Sequence, residues 1–141
     1  MGTSPQLHVV AKGLASRIAI RAGKKILFID SADVIAVEAE GNYVLLRHKS
    51  SAYMLREPIS RIADKLSLFG FVRIHRSSLV NAAFVEEIQP LATGEYALRV
   101  RGGKKYIVTR TYKKNLHLLA ESWIGTDGFG QIEREGLINS D

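Results

Sequence analysis

The sequence contains no cysteine, which excludes a disulfide scaffold, a thiolate nucleophile and any cysteine-based zinc site. The same absence fits a cytoplasmic protein. No apolar run approaches the length of a membrane span, so no membrane partner is expected. Met1–Gln6 lacks the charged start and apolar run of a signal peptide and reads as a linker end. His8, His48 and His117 are scattered without metal-ligand spacing, and no metal or other cofactor is expected. A G-x-S-x-G nucleophile turn is missing. No G-K-[ST] follows Gly102-Gly103, so that pair is a turn and not a phosphate loop. The chain also has no internal repeat and no low-complexity tract.

What is present is one domain's worth of chain: 141 residues, 46% of them hydrophobic. A chain of this size buries roughly two-thirds of its extended surface on folding, enough for a core without staples. The net charge of +6 is unevenly spread. Residues 1–30 carry Lys12, Arg17, Arg21, Lys24 and Lys25 against Asp30 alone. Residues 91–125 add Arg99, Arg101, Lys104, Lys105, Arg110, Lys113 and Lys114 against two acids. Residues 126–141 reverse the sign, with four acids against Arg134. A basic body suggests a polyanionic partner, nucleic acid before anionic membrane, with a merely solvated basic surface as the competing interpretation.

Short strands set the rhythm along the chain. Arg17–Arg21, Ile26–Ile29, Val34–Ala39, Tyr43–Arg47, Ala52–Leu55, Phe71–Ile74, Phe84–Gln89, Glu95–Arg101 and Tyr106–Thr109 read as strands divided by turns. Tyr96, Leu98 and Val100 fall on one face of theirs, and Gly102-Gly103 supplies a two-residue turn. Two segments have helical spacing. In Glu57–Leu66, Ile59, Ile62, Ala63 and Leu66 make one apolar face, with Pro58 at the first helical position. In Thr111–Ile124 the face is Tyr112, Leu116, Leu119, Ala120 and Trp123, with Thr111 as N-cap. The expected fold is mainly β: antiparallel sheets with two short flanking helices. The expected organisation is a linker over 1–13, one domain over 14–125 and a loose acidic tail over 126–141.

Two polar clusters stand out. His75-Arg76-Ser77-Ser78 follows Phe71-Val72-Arg73-Ile74 and precedes Leu79-Val80. As an enzyme site it would pair Ser77 with His75, but adjacent positions rarely give that geometry. As a strand end it buries His75. As a nucleic-acid contact it offers Arg76 and Ser77 to groove and phosphate. The second cluster is Lys104, Lys105, Arg110, Lys113 and Lys114, with Arg110 where a strand hands over to a helix. Free backbone N–H groups and a positive dipole end there attract phosphate. Solvated charge competes with that interpretation for Lys113 or Lys114 taken singly, less so for the set.

Four stretches then resemble one family. Val34-Ile35-Ala36-Val37-Glu38-Ala39-Glu40-Gly41-Asn42-Tyr43-Val44 resembles "I-x-x-I-E-A-x-x-N-Y-V". Leu55–Leu66 resembles the family's first helix. Phe71-Val72-Arg73-Ile74-His75-Arg76-Ser77-Ser78-Leu79-Val80-Asn81 resembles "F-x-R-x-H-R-S-x-L-V-N", and Tyr106-Ile107-Val108-Thr109-Arg110-Thr111-Tyr112 resembles "V-S-R-x-Y". The family is the LytTR DNA-binding domain, the output module of LytR/AlgR/AgrA-type bacterial regulators. Order and spacing agree over about residues 15–124. Ser78 stands where an aromatic is common, and Thr109 where Ser is usual.

The resemblance implies an elongated set of antiparallel sheets that binds double-stranded DNA through loops at strand ends. Carried over by position, the contacts are Asn42 with Tyr43, then Arg76 beside His75 and Ser77, then Arg110. Lys104, Lys105, Lys113 and Lys114 would hold the phosphate backbone. The resemblance also implies paired repeat sites in a promoter, a homodimer on DNA, and a sensor or receiver domain in a longer one- or two-component regulator. An RNA- or single-strand-binding β module is the alternative and would need Tyr96 and Tyr106 exposed beside basic residues. A protein-interaction module with a basic face is a third option. No enzymatic activity is expected.

Overall fold

The computed structural model describes residues 16–125. Ten strands form three antiparallel sheets. β1 (Arg17–Ala22) and β2 (Lys25–Asp30) pair as a hairpin. β3 (Val34–Glu40), β4 (Tyr43–His48), β5 (Ala52–Leu55), β6 (Phe71–His75) and β7 (Ser78–Asn81) form a five-stranded sheet in the order β5-β4-β3-β7-β6. β8 (Val85–Pro90), β9 (Tyr96–Val100) and β10 (Lys105–Val108) form the third. The helix α1 (Ile59–Leu66) links β5 to β6, and a 3-10 segment, Arg110–Leu119, follows β10.

The central sheet is covered on both faces. Val37, Val44, Leu46, Phe71 and Leu79 pack with Ile20 of β1 and with Ile62 and Leu66 of α1. Ala36, Val72, Ile74 and Val80 point the other way, toward Leu98, Val100, Tyr106, Val108 and Leu116. A register shift between Val34 and Ala36 explains why both Val34 and Val37 reach the first core, while Ala36 reaches the second. Every residue of β7 is buried, as a central strand between two layers must be. Each large side chain so enclosed contributes about 1.5–3 kcal/mol over leaving it exposed. Asn81, the one polar residue inside that run besides Ser78, is satisfied. Its Nδ2 donates to the carbonyls of Val34 at 2.9 Å and Ser31 at 3.4 Å, and its Oδ1 accepts from Ala83 N–H at 3.0 Å.

The mainly β fold with two flanking helical pieces is as expected, with corrections to detail. β7 was not anticipated as a strand, because four residues after a tight turn carry no period long enough to see. The face of α1 is the expected one, but Pro58 is its N-cap rather than its first helical residue. The last helix is a 3-10 segment capped by Thr109, with Thr111 inside it, and it ends at Leu119. Side chains three apart eclipse in a 3-10 helix, and Lys113 and Leu116, three apart, are its buried residues. Ala120 and Trp123 therefore fall outside it. The turn after β9 is wider than two residues: Val100 N–H donates to Lys104 O at 3.0 Å, enclosing Arg101-Gly102-Gly103. The expected linker over 1–13 and acidic tail over 126–141 lie outside the described residues.

Candidate nucleic-acid interface

Three surface segments selected from sequence lie close together. β3 runs antiparallel to β7 with Glu38 opposite Ser78, and Ala39 N–H donates to Ser77 O at 2.9 Å. The β3–β4 turn at Gly41-Asn42 and the β6–β7 turn at Arg76-Ser77 therefore leave the same end of the central sheet. Thr109 N–H donates to Ile74 O at 3.0 Å, so Arg110 begins beside the end of β6.

The first turn joins Glu40 to Tyr43 through two residues. Gly41 has φ +60 while Asn42 does not enter the left-handed region, the pattern of a type II′ turn. Asn42 is exposed at its tip. Tyr43 is half-exposed, and the Arg56 guanidinium lies 5.3 Å from its ring centroid and 3.4 Å from its hydroxyl. Arg56 had no role in the sequence interpretation.

The second turn is braced from inside. His75 Nδ1 accepts the Ser77 backbone N–H at 3.1 Å and lies 2.9 Å from Ser77 Oγ. A backbone N–H can only donate, so Nδ1 is unprotonated. Adjacent positions rarely give a nucleophile–base geometry, yet this turn folds Ser77 Oγ onto the ring. That nitrogen nevertheless already accepts a main-chain bond. Arg73, which sequence motifs included without a role, holds the same turn. Its Nε donates to His75 O at 2.8 Å and its Nη2 to Arg76 O, while the guanidinium sits 5.5 Å from the Tyr112 ring centroid. Asn115 Nδ2 in turn donates to Arg73 O at 2.9 Å. Arg76 itself is exposed.

The third segment is Arg110, exposed at the start of the 3-10 segment. Its Nη2 donates to Thr93 O at 2.8 Å. A Cβ at Gly94 would lie 3.0 Å from Nη2 and 3.1 Å from Nε, so the bare backbone of Gly94, at φ +90, is the floor on which this guanidinium rests.

The lysines divide. Lys105 and Lys114 are exposed and, like Arg76, have no carboxylate partner among the described residues. Lys104 is 3.9 Å from Glu38. Lys113 corrects the expectation of a surface cation: it is buried, its ammonium 5.7 Å from the Tyr96 ring centroid, because three-residue periodicity turns it inward. Arg99 and Arg101 are engaged by Glu86 and Glu87. Ser77, Lys104 and Lys105 line one cleft of about 230 Å³ with Glu38 and Glu40. Tyr96 and Tyr106 are both core residues, so neither offers a face for base stacking.

Glu38 ties the layers beneath this surface. It accepts from Arg47 Nε at 2.5 Å and from the Tyr106 hydroxyl at 2.5 Å. Burial alone would raise its pKa, but those two hydrogen bonds and the charges of Arg47 and Lys104 outweigh burial and hold the carboxyl below its ordinary value. Burial and the neighbouring carboxylate push the Tyr106 phenol well up. Glu38, depressed, adds stability that is present above its unfolded value and is lost as pH falls through its folded value. Tyr106, raised, adds stability present below its unfolded value and lost as pH rises through its folded one. Thermal melts across pH should therefore fall at both extremes. Glu38→Gln should lower the neutral plateau and flatten the acid limb, and an unchanged acid limb would refute this role.

Among the described residues, three antiparallel sheets carry exposed Asn42, Arg76 and Arg110 on neighbouring segments at one end of the central sheet. Residues 24–121 match the family described as the LytTr DNA-binding domain, and the chain belongs to that family. It is 33% identical over 103 residues to the sensory transduction protein LytT of Bacillus subtilis, an alignment covering 73% of this chain and 43% of that protein. It is 37% identical over 92 residues to the positive alginate biosynthesis regulatory protein of Pseudomonas aeruginosa, covering 64% and 36% respectively. A solved LytTr DNA-binding domain from Bacillus cereus superposes with a TM-score of 0.65 at 18% identity, over 74% of this chain and 95% of that one. The chain thus spans less than half the length of the curated relatives it matches. Among the described residues no helix is long and apolar enough to cross a membrane, and no group of His, Asp and Glu could hold a metal ion.

Proposed function

We propose that residues 14–125 read a specific double-stranded DNA sequence as the output domain of a bacterial transcription regulator. The observation that carries this is the convergence of Asn42, Arg76 and Arg110 on neighbouring segments, with no carboxylate partner for either arginine among the described residues. Arg110 pairs bidentately with a guanine edge in a major groove. Arg76, with Ser77 beside it, enters the narrow minor groove between successive contacts. Asn42 and Tyr43 meet an adenine edge or a phosphate of the next groove. Lys104, Lys105 and Lys114 hold phosphates, whereas Lys113 is left out because it is buried. His75 keeps its turn closed and does no chemistry, and the domain has no enzymatic activity. In the longer regulator a receiver or sensor domain governs two such domains on paired promoter repeats in the cytoplasm.

Salt titration on duplex DNA tests the electrostatic part. The logarithm of affinity should fall against the logarithm of salt with a slope of about −0.9 per phosphate neutralised. Lys114→Ala should make the slope shallower by about one and leave sequence preference unchanged. A flat response to salt, or stronger binding to single strands than to duplex, would refute the reading.

A further inference from the structure

A second concave site lies on the helix side of the central sheet. A cleft of about 370 Å³ opens between β1, β4, β5 and α1. Ile18, Ile20, Leu46, Leu55, Ile62 and Leu66 line its apolar part. Arg21, Arg56, Lys65 and Glu57 line its polar part. Glu57 is taken by Lys65 at 2.9 Å, which leaves Arg21 and Arg56 as uncompensated charge. The Arg21 side chain has no hydrogen-bond or ion-pair partner among the described residues, and the Arg56 side chain has only the Tyr43 ring and its long contact to the hydroxyl.

We propose that this cleft binds a small amphipathic anion, of which a medium-chain aliphatic carboxylate is the simplest member, and that its binding weakens the grip on DNA. The volume sits at the low end of small-molecule sites, about 300–1,000 Å³, and is too small for a partner helix. An apolar body matches the aliphatic lining. A carboxylate head matches the Arg56 guanidinium, whose planar fork takes such a group bidentately, with the Arg21 charge at the rim adding attraction at longer range. A DNA phosphate would satisfy the arginines but has no use for the aliphatic lining. A bound head group draws Arg56 away from Tyr43 and places negative charge beside a turn that faces DNA. This coupling rests on the function proposed above. The binding itself does not.

The test is a methyl NMR titration of the 141-residue chain with decanoate below its micelle concentration, with decanol and decyltrimethylammonium as head-group controls. Decanoate should give saturable shifts at Ile18, Leu55 and Ile62. Decanol should bind about tenfold more weakly, the size of losing one charge-assisted contact. The double variant Arg21→Gln, Arg56→Gln should bring decanoate to the level of decanol. Absence of saturable shifts, or equal binding of decanol and decanoate, would overturn the site. Saturating decanoate should also lower affinity for a mixed-sequence duplex several-fold at fixed salt. Unchanged duplex affinity alongside intact decanoate shifts would overturn the coupling. Failure to bind duplex even without decanoate, shifts intact, would instead overturn the DNA reading and leave the cleft standing.

Discussion

Arg110→Ala weakens binding to a duplex selected by the wild-type protein by about 1–3 kcal/mol, and binding to its scrambled counterpart much less. The reason is the platform. Thr109 is tied to Ile74, and the Arg110 guanidinium is itself fixed by Thr93 O and laid against Gly94. One edge of the fork is spent on the protein, and the remaining donors leave a pre-set plane, so little side-chain entropy is lost on meeting a base. Arg110→Lys should recover little, because a single ammonium cannot keep the Thr93 bond and match a guanine edge together. Gly94→Ala should reproduce part of the same loss with Arg110 intact, since the added Cβ falls 3.0 Å from Nη2 and the residue sits at φ +90. The measurement is a titration of wild type and the three variants on both duplexes at one salt concentration. Equal loss on both would mean that Arg110 holds phosphate and that base reading lies with Asn42 and Arg76.

The parts of this architecture legible in the sequence are those where one residue's environment is set by its near neighbours. Alternation placed Tyr96, Leu98 and Val100 on a buried face, and the structure buries all three. Helical spacing picked out Ile62 and Leu66, which are the buried residues of α1. What was illegible depends on contacts distant in sequence. β7 is a strand because β3 and β6 flank it, not because Ser78-Leu79-Val80-Asn81 has a period of its own. The final segment winds as a 3-10 helix with Lys113 inward, which its mixed pattern of apolar and basic residues does not announce.

The candidate interface divides along the same line. Exposed cations near turns were readable as candidates from charge and position, and Asn42 from resemblance. Their supports were not. Arg56 is thirteen residues from Tyr43, and Thr93 is seventeen from Arg110. Glu38 and Tyr106 meet across sixty-eight positions. A signal was present in one case. Arg73 lies two residues before His75 inside the densest motif of the chain, and an arginine alternating with buried Val72 and Ile74 needs some partner.

That arginine gives the second large effect. Arg73 does not face outward with Arg76. Its guanidinium is folded back onto the carbonyls of His75 and Arg76 and stacked on Tyr112, and its own carbonyl is held by Asn115. It therefore fixes the turn that carries Arg76 to the segment that begins with Arg110. Arg73→Ala removes two charge-assisted hydrogen bonds and a ring contact, and should cost about 1.5–3 kcal/mol of folding stability. Specific affinity should fall by about tenfold even well below the melting temperature, because Arg76 then pays the entropy of an unbraced turn. Arg73→Lys separates positioning from mere stability. A lysine keeps the charge and one carbonyl contact but not the planar bridge, so it should recover most of the stability and little of the specificity. The salt slope should stay at the wild-type value in both variants, because Arg73 is given no phosphate to neutralise. Urea melts, the ratio of specific to scrambled affinity and the salt slope together decide the point. An Arg73→Lys variant as specific as wild type, or one whose slope changes by a full unit, would show that Arg73 either does not position the turn or touches DNA itself.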